Sequence, residues 1–298
     1  MTLALVALEE EGHGRDESSS FSTWEASLSL AFTRGAQGTR LARAEHFGPL
    51  RVQRAFHPEG ADGSCHVYVL HPPGGIVGGD TLALTVDVAD GAGALLTMPG
   101  ANKLYRARPG TVARLDQRFS VAGRGLCEWL PQETIVFDGA HATSRTEVAL
   151  SADARFAGWE IVCLGRPAAG ERFTRGALRT ELSVRRADRL IYLERARYLG
   201  GDAMLDAPWG LSGQPVLGTF VVASPELSDT WVGALREALG ADDAEGCRFA
   251  VTAVSGVLVV RVLGASTRAA RRLFERAFAV LRPLYAGRPA VPPRIWST

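Results

Sequence analysis

The sequence predicts a mainly β protein, with many short strands in one continuous β-helix- or sandwich-like body and two helices in the C-terminal quarter. Three observations predict it. Apolar runs of strand length alternate with polar residues and are punctuated by Gly- and Pro-containing turns from residue 24 to about residue 199. No strand–helix–strand period occurs before residue 225. Beyond that point the apolar spacing changes to i, i+3, i+4.

Residues 1–22 close with the polar run Gly12 to Ser20 and are expected to form a flexible tail. The remainder, 24–298, shows no repeat and no Pro/Ser linker and reads as a single domain. Trp24, Ala26, Leu28, Leu30 and Phe32 alternate with Glu25, Ser27 and Ser29, the pattern of a half-buried antiparallel strand. Residues 50–56 alternate in the same way. The runs 65–70 and 82–88 flank a loop, His71 to Asp80, that holds four glycines and two prolines in ten residues. Glycine supplies positive φ and proline removes a donor, so the segment predicts a tight sheet-to-sheet turn. It is not a phosphate loop, because Asp80 follows Gly79 where a lysine is required, and the chain's only lysine is Lys103.

Further strands are predicted over 91–98, 114–121, 126–131, 135–137, 146–150, 158–164, 176–184 and 190–199. Ser228 is the expected N-cap of a helix over 228–239 that Gly240 stops. Ser266 or Thr267 opens a second helix, 266–282, with Ala270, Leu273, Phe274, Ala277, Phe278 and Leu281 on one face and Pro283 as its stop. Arg268, Arg271, Arg272, Glu275, Arg276 and Arg282 fill the opposite face, which is expected to be solvated or to dock a partner. Between the helices, 247–253 and 257–263 read as a hairpin turned at Ser255-Gly256.

Of the 298 residues, 46% are hydrophobic and 22% charged, and Lys+Arg 33 against Asp+Glu 32 leaves a formal charge of +1. That balance speaks against a nucleic-acid partner. The four cysteines are far apart and no CxxC occurs, so buried thiols in a reducing cytoplasm are expected. The apolar start, Met1 to Leu8, lacks a positive flank and runs into three glutamates, unlike a signal peptide. No apolar run approaches the ~20 residues that span a bilayer.

Nucleophile elbows, HExxH pairs and clustered Cys/His ligands are absent from the sequence. What stands out is a set of carboxylates set in apolar strands: Glu133 and Asp138 around Ile135-Val136-Phe137, Glu160 within Gly158 to Leu164, Glu171 after Gly170, and Asp202 and Asp206 beside Trp209. A buried carboxylate is costly unless paired or metal-bound. Pairing with arginines such as Arg166, Arg195 or Arg197 is one outcome. An oxygen-lined path that passes a divalent ion weakly is the other.

Several motifs together resemble the urease accessory protein UreD (UreH) family: His71 to Asp80, Met98 to Arg106, Glu128 to Ile135, Phe137 to Ala140, Gly158-Trp159-Glu160, Leu164 to Pro167 and Pro293 to Trp296. The resemblance implies a β-rich body without catalysis of its own and without a tightly bound cofactor. It implies a cytoplasmic scaffold that binds UreF, reaches the GTPase UreG through UreF, and docks on apo-urease while Ni2+ passes transiently. On that resemblance Glu133, Asp138, Glu160 and Glu171 are expected along the nickel path, with His71 and Asp80 at a rim and Asp202 and Asp206 as secondary positions. Arg272, Arg276, Arg294 and Trp296 are expected on a partner surface. Two alternatives remain: a carboxylate-pair hydrolase, which needs two carboxyl groups about 5–9.5 Å apart in an open cleft, and an interaction scaffold with no metal role.

Overall fold

A computed structural model describes residues 23–240 and 246–297; the tail predicted over 1–22 lies outside the described residues. The first strands are β1 (Glu25–Gly35), β2 (Gly38–Phe47), β3 (Arg51–Val52), β4 (Cys65–Leu70), β5 (Thr81–Val88) and β6 (Gly93–Thr97). They are followed by β7 (Asn102–Leu104), β8 (Ala113–Val121), β9 (Leu126–Trp129), β10 (Thr134–Val136), β11 (His141–Leu150), β12 (Arg155–Leu164), β13 (Ala177–Arg186) and β14 (Arg189–Leu199). The C-terminal part contains a one-turn helix α1 (Ala203–Asp206), then β15 (Val216–Ala223), α2 (Asp229–Leu239), β16 (Cys247–Val254), β17 (Val257–Gly264) and α3 (Thr267–Ala286). No helix among the described residues is long and apolar enough to cross a membrane.

The chain winds. From β4 to β13 it passes repeatedly between two sheets and lays each new strand parallel to the strand one coil earlier. One sheet runs β14-β13-β11-β8-β5-β1-β2; the other runs β16-β17-β15-β12-β9-β6-β4-β3. The inner strands β5, β8, β11 and β13 pair in parallel in the first sheet, and β4, β6, β9 and β12 in the second. Parallel pairing here needs no crossover helix, because the opposite sheet is the crossover. The result is a β-solenoid-like body, as the strand pattern predicts. Four alternating apolar positions bury one face of β5, the signature of a sheet packed on one side.

Several predictions are corrected. The strand beginning at Glu25 pairs antiparallel with β2 but also parallel with β5, since the winding brings a later coil to its other edge. Residues 50–56 supply only β3 and an isolated bridge at Phe56. The strands β2 and β15 are not among the predicted ones; β2 is an exposed edge whose Arg, Glu and His residues mask the alternation. Ser228 occupies the N-cap of α2, but its hydroxyl bonds Thr230 rather than a backbone amide. The longer helix does not stop at Pro283. That residue sits on an exposed face, and the helix continues to the left-handed Gly287, whose N–H bonds the Pro283 carbonyl.

Both longer helices pack on the outer face of the second sheet, where Trp159 contacts Phe220, Phe274, Phe278 and Trp296. Gly218 permits the approach, since a Cβ there would lie 2.9 Å from the Phe274 ring.

Arg282, predicted on the solvated face of α3, is instead fully buried. Its Nε and Nη2 donate to the two Glu128 oxygens at 2.9 and 3.1 Å, Nη2 donates to Glu59 at 2.7 and 2.9 Å, and Nη1 donates to the Pro289 carbonyl at 2.6 Å. The Tyr285 hydroxyl donates to Glu128 at 2.7 Å, and His66 Nε2 lies 2.7 Å from Glu59. A permanently charged guanidinium is tolerable in this interior because two carboxylates meet it with near-bidentate geometry. The amphipathic pattern places Arg282 beside Leu281 and Tyr285, so helical periodicity alone reads it as an edge position. We expect Arg282→Ala to cost about 3–5 kcal/mol in urea unfolding, because it strands two buried carboxylates. The triple variant Arg282→Met, Glu59→Gln, Glu128→Gln should recover much of that loss; equal loss in single and triple variants would refute the network's role.

Candidate functional site

The inward faces of the two sheets are mostly apolar, and their polar residues gather around one layer. On the first sheet, register places Gln117 of β8 beside Thr146 of β11, then Leu182 of β13 and Glu194 of β14. On the second, Glu160 of β12 pairs with Thr219 of β15. Between them lies a cavity of about 40 Å3, lined by Gln117, Thr146, Trp129, Gln132, Thr134 and Glu160, among others. A space of that size holds a few water molecules.

Glu160 is the distinctive group in this layer. Among the described residues its only hydrogen-bond partner is the Ser144 hydroxyl, 3.3 Å away, and it has no ion pair. Burial pushes its pKa up to about 7; the Ser144 bond opposes that rise and the nearby Glu194 charge adds to it. Gln117 Oε1, on the cavity wall, is buried with no hydrogen-bond partner among the described residues. Glu194 is tied back by Arg261 at 2.8 Å and by Thr219 at 3.1 Å. The donors facing the cavity are therefore oxygens: a carboxyl, an amide carbonyl and hydroxyls. Such a set suits a hard or borderline divalent ion held loosely. No group of three His, Cys, Asp or Glu residues suited to holding a metal occurs among the described residues.

Of the other predicted acids, Glu133, Asp138, Glu171 and Asp206 are each held by a guanidinium. Glu133 points away from the cavity that its neighbours Gln132 and Thr134 line, and meets Arg271 of α3 at 2.5 Å. Asp138 accepts from Arg175 at 2.8 and 3.2 Å and from the Thr174 and Arg175 amides at 2.7 and 2.8 Å. Burial raises its pKa, but these donors outweigh burial and hold it at about 2. Glu171 pairs with Arg166 at 2.6 Å and accepts the Asp138 amide at 3.1 Å, so the structure brings Asp138 and Glu171 together, on the outside of the coil and apart from Glu160. Asp206 accepts both Arg172 bonds at 2.5 and 2.8 Å, and Asp202 caps α1 through the Met204 amide.

In the glycine loop Asp80 is buried and accepts the Trp24 and Val77 amides, both at 2.9 Å, which closes the turn between the two sheets. His71 is half-buried, and burial lowers its pKa against the pull of Asp80. Of the predicted partner-surface residues, Arg272 and Arg294 are exposed. Arg276 is committed to the carbonyls of Ala238 and Leu239 at the end of α2, where a cation complements the helix dipole. Trp296 is tucked in rather than offered outward: its Nε1 donates to Thr97 at 2.9 Å and its ring lies on Trp159 and Phe278. All four cysteines are buried thiols, as expected from their apolar settings.

The sequence profile of the UreD urease accessory protein family matches residues 25–297. The chain belongs to that family. It is 48% identical over 275 residues to the urease accessory protein UreD of Azoarcus sp. (strain BH72), covering 92% of this chain and 94% of that protein. Its identity to the UreD of Dechloromonas aromatica (strain RCB) is 47% over 276 residues, covering 93% and 95%. A UreD 2 of Brucella anthropi is 44% identical over 275 residues, covering 92% and 98%.

The UreD motif that includes Glu128 was visible in sequence, but the buried role of Glu128 was not. Gln117 and Glu194 belong to no motif, but parity identifies them: each shares the inward side of its strand with apolar neighbours, Leu115 and Phe119 in one case, Tyr192 and Tyr198 in the other.

Because the folded-state pKa of Glu160 is raised from 4.5 to about 7, its stabilising contribution is complete below pH 4.5 and lost as pH rises through 7. We expect wild type to lose about 3 kcal/mol relative to Glu160→Gln between pH 4.5 and pH 8, measured by urea unfolding across a pH series. Parallel pH profiles for the two proteins would contradict this environment for Glu160.

Proposed function

We propose that this UreD-family chain acts in urease maturation as a non-catalytic cytoplasmic scaffold and nickel conduit. In this reading it binds UreF, engages the GTPase UreG through UreF, docks on the urease apoprotein, and passes Ni2+ onward without storing it. The observation that carries the reading is Glu160: an interior carboxyl with no cation partner among the described residues, facing an oxygen-lined cavity in a member of the urease accessory protein family. An arriving Ni2+ replaces the Glu160 proton, forming a metal–carboxylate contact and releasing H+. The contact is weak because no second strong ligand is clustered with it among the described residues, and weak contact favours onward transfer. The guanidinium-bound acids Glu133, Asp138 and Glu171 enter this reading as entry or exit groups that exchange an arginine for the ion.

A carboxylate-pair hydrolase draws little support. The cavity beside Glu160 is about 40 Å3, whereas a small-ligand site needs about 300 Å3 or more, and the two acids on a larger open pocket of about 420 Å3, Glu171 and Asp206, are each tied to an arginine.

The test is co-expression with urease and its other accessory proteins, followed by nickel analysis of purified urease. Glu160→Gln should lower the nickel content several-fold while complex assembly persists. In a purified transfer assay, the wild-type rate should rise as pH increases through about 7, and the Glu160→Gln rate should not. Normal nickel content in a Glu133→Gln, Asp138→Asn, Glu160→Gln variant would leave only a metal-independent scaffold role.

A further inference from the structure

The helices contact the second sheet, so the outer face of the first sheet is bare among the described residues. Its charges fall into rows across the strands, and the rows differ in kind. One row reads Asp116, Arg145, Glu181, Arg195 across β8, β11, β13 and β14, acid alternating with base. Glu181 bonds Arg195 at 2.8 Å and Arg145 at 3.4 Å within it. The next row toward the far end of the sheet pairs Arg118 with Glu147 at 3.0 Å. These rows satisfy themselves.

The adjacent row does not. It reads Arg114, Thr143, Arg179, Arg197 over the same four strands. All three arginines are exposed, and none of their guanidinium groups makes a hydrogen bond or ion pair among the described residues. Arg179 and Arg197 stand directly opposite each other on β13 and β14, about 5 Å apart at the backbone. Like charges at such a position are destabilising. Exposed His141 lies two residues before Thr143 on the same face. The acid in the row is Glu25 of β1, opposite Thr81 of β5 and two strands from Arg114, with which it forms no ion pair. Other exposed arginines without a side-chain partner among the described residues, such as Arg51, Arg189, Arg248 and Arg268, stand singly; here three share one row of a flat, uncovered face, two of them directly opposed, and that like-charge contact is a cost that an outside partner offsets.

We propose that the Arg114–Arg179–Arg197 row is a docking surface for carboxylates on a partner protein, and, resting on the functional reading above, that the partner is the urease apoprotein. Arginine's planar fork pairs bidentately with carboxylates and is favoured at interfaces. The row directly beside it carries Asp116 and Glu181, which repel a continuous polyanion but suit a protein surface of mixed charge. That favours protein over nucleic acid, as does the absence of aromatic residues between the arginines.

The experiment compares full-length wild type with the Arg114→Gln, Arg179→Gln, Arg197→Gln variant. Binding to purified urease apoprotein is measured by surface plasmon resonance at several salt concentrations, alongside thermal melts. Wild type should bind with an association rate that falls as salt rises, and the triple variant should bind about tenfold more weakly with a flattened salt dependence. Arg179→Gln alone should melt no lower than wild type, since it removes a like-charge contact. Equal binding by wild type and triple variant overturns this surface and leaves the functional reading standing. Failure of wild type to bind the apoprotein overturns that reading together with the assigned partner. A melting temperature lowered by Arg179→Gln, or variant-sensitive binding to a single-stranded RNA 20-mer in place of the apoprotein, overturns the docking proposal.

Discussion

Two sheets wound from one strand-by-strand coil share a single interior, and every inward side chain must be accommodated there. This constraint governs the molecule. Along most of the coil it is met by Val, Leu, Phe and Ala, and the sheets close on one another without polar groups. In one layer the sequence places Gln117, Thr146, Glu160, Thr219 and Glu194 at inward positions, and a small cavity opens. Because parallel strands stack in register, a polar residue in one coil lies beside its counterparts in the next, so the polar positions gather into a layer.

Charge is handled in three ways. Arg282 with Glu59 and Glu128 is a fully enclosed set that ties α3 to β9 and to the loop before β4. Its energetic value lies in being complete, because a single missing partner leaves an uncompensated buried charge. Asp138, Glu171, Glu133 and Asp206 are held by arginines nearer the surface. Glu160 belongs to neither group. Burial raises its pKa to about 7, and no cation neutralises it among the described residues.

Much of this was legible in sequence. Alternation located most of the strands, Gly and Pro located the turns between sheets, and the 3.6-residue period located α2 and α3. The acids worth attention were also visible, since each interrupts an apolar run. Pairing was not. Glu133 and Arg271 are brought together from 138 residues apart, and Glu128 and Arg282 from 154, and no local pattern reports such contacts. The direction of strand pairing was equally hidden, because alternation is the same for parallel and antiparallel neighbours. The buried arginine was misread for a related reason: periodicity defines a face, but the width of that face depends on what packs against it. Pro283 shows the converse, a local breaker overruled by the packing of Tyr285 beyond it.

The account stands on Glu160 as an interior contact point for a metal ion. Crystals equilibrated with Ni2+ and measured at the nickel absorption edge test this most directly. At pH 8 the account predicts an anomalous peak beside the Glu160 carboxylate, weakened at pH 5.5 and absent in Glu160→Gln. Nickel bound only at surface histidines, or an interior peak that persists unchanged in Glu160→Gln, would contradict it.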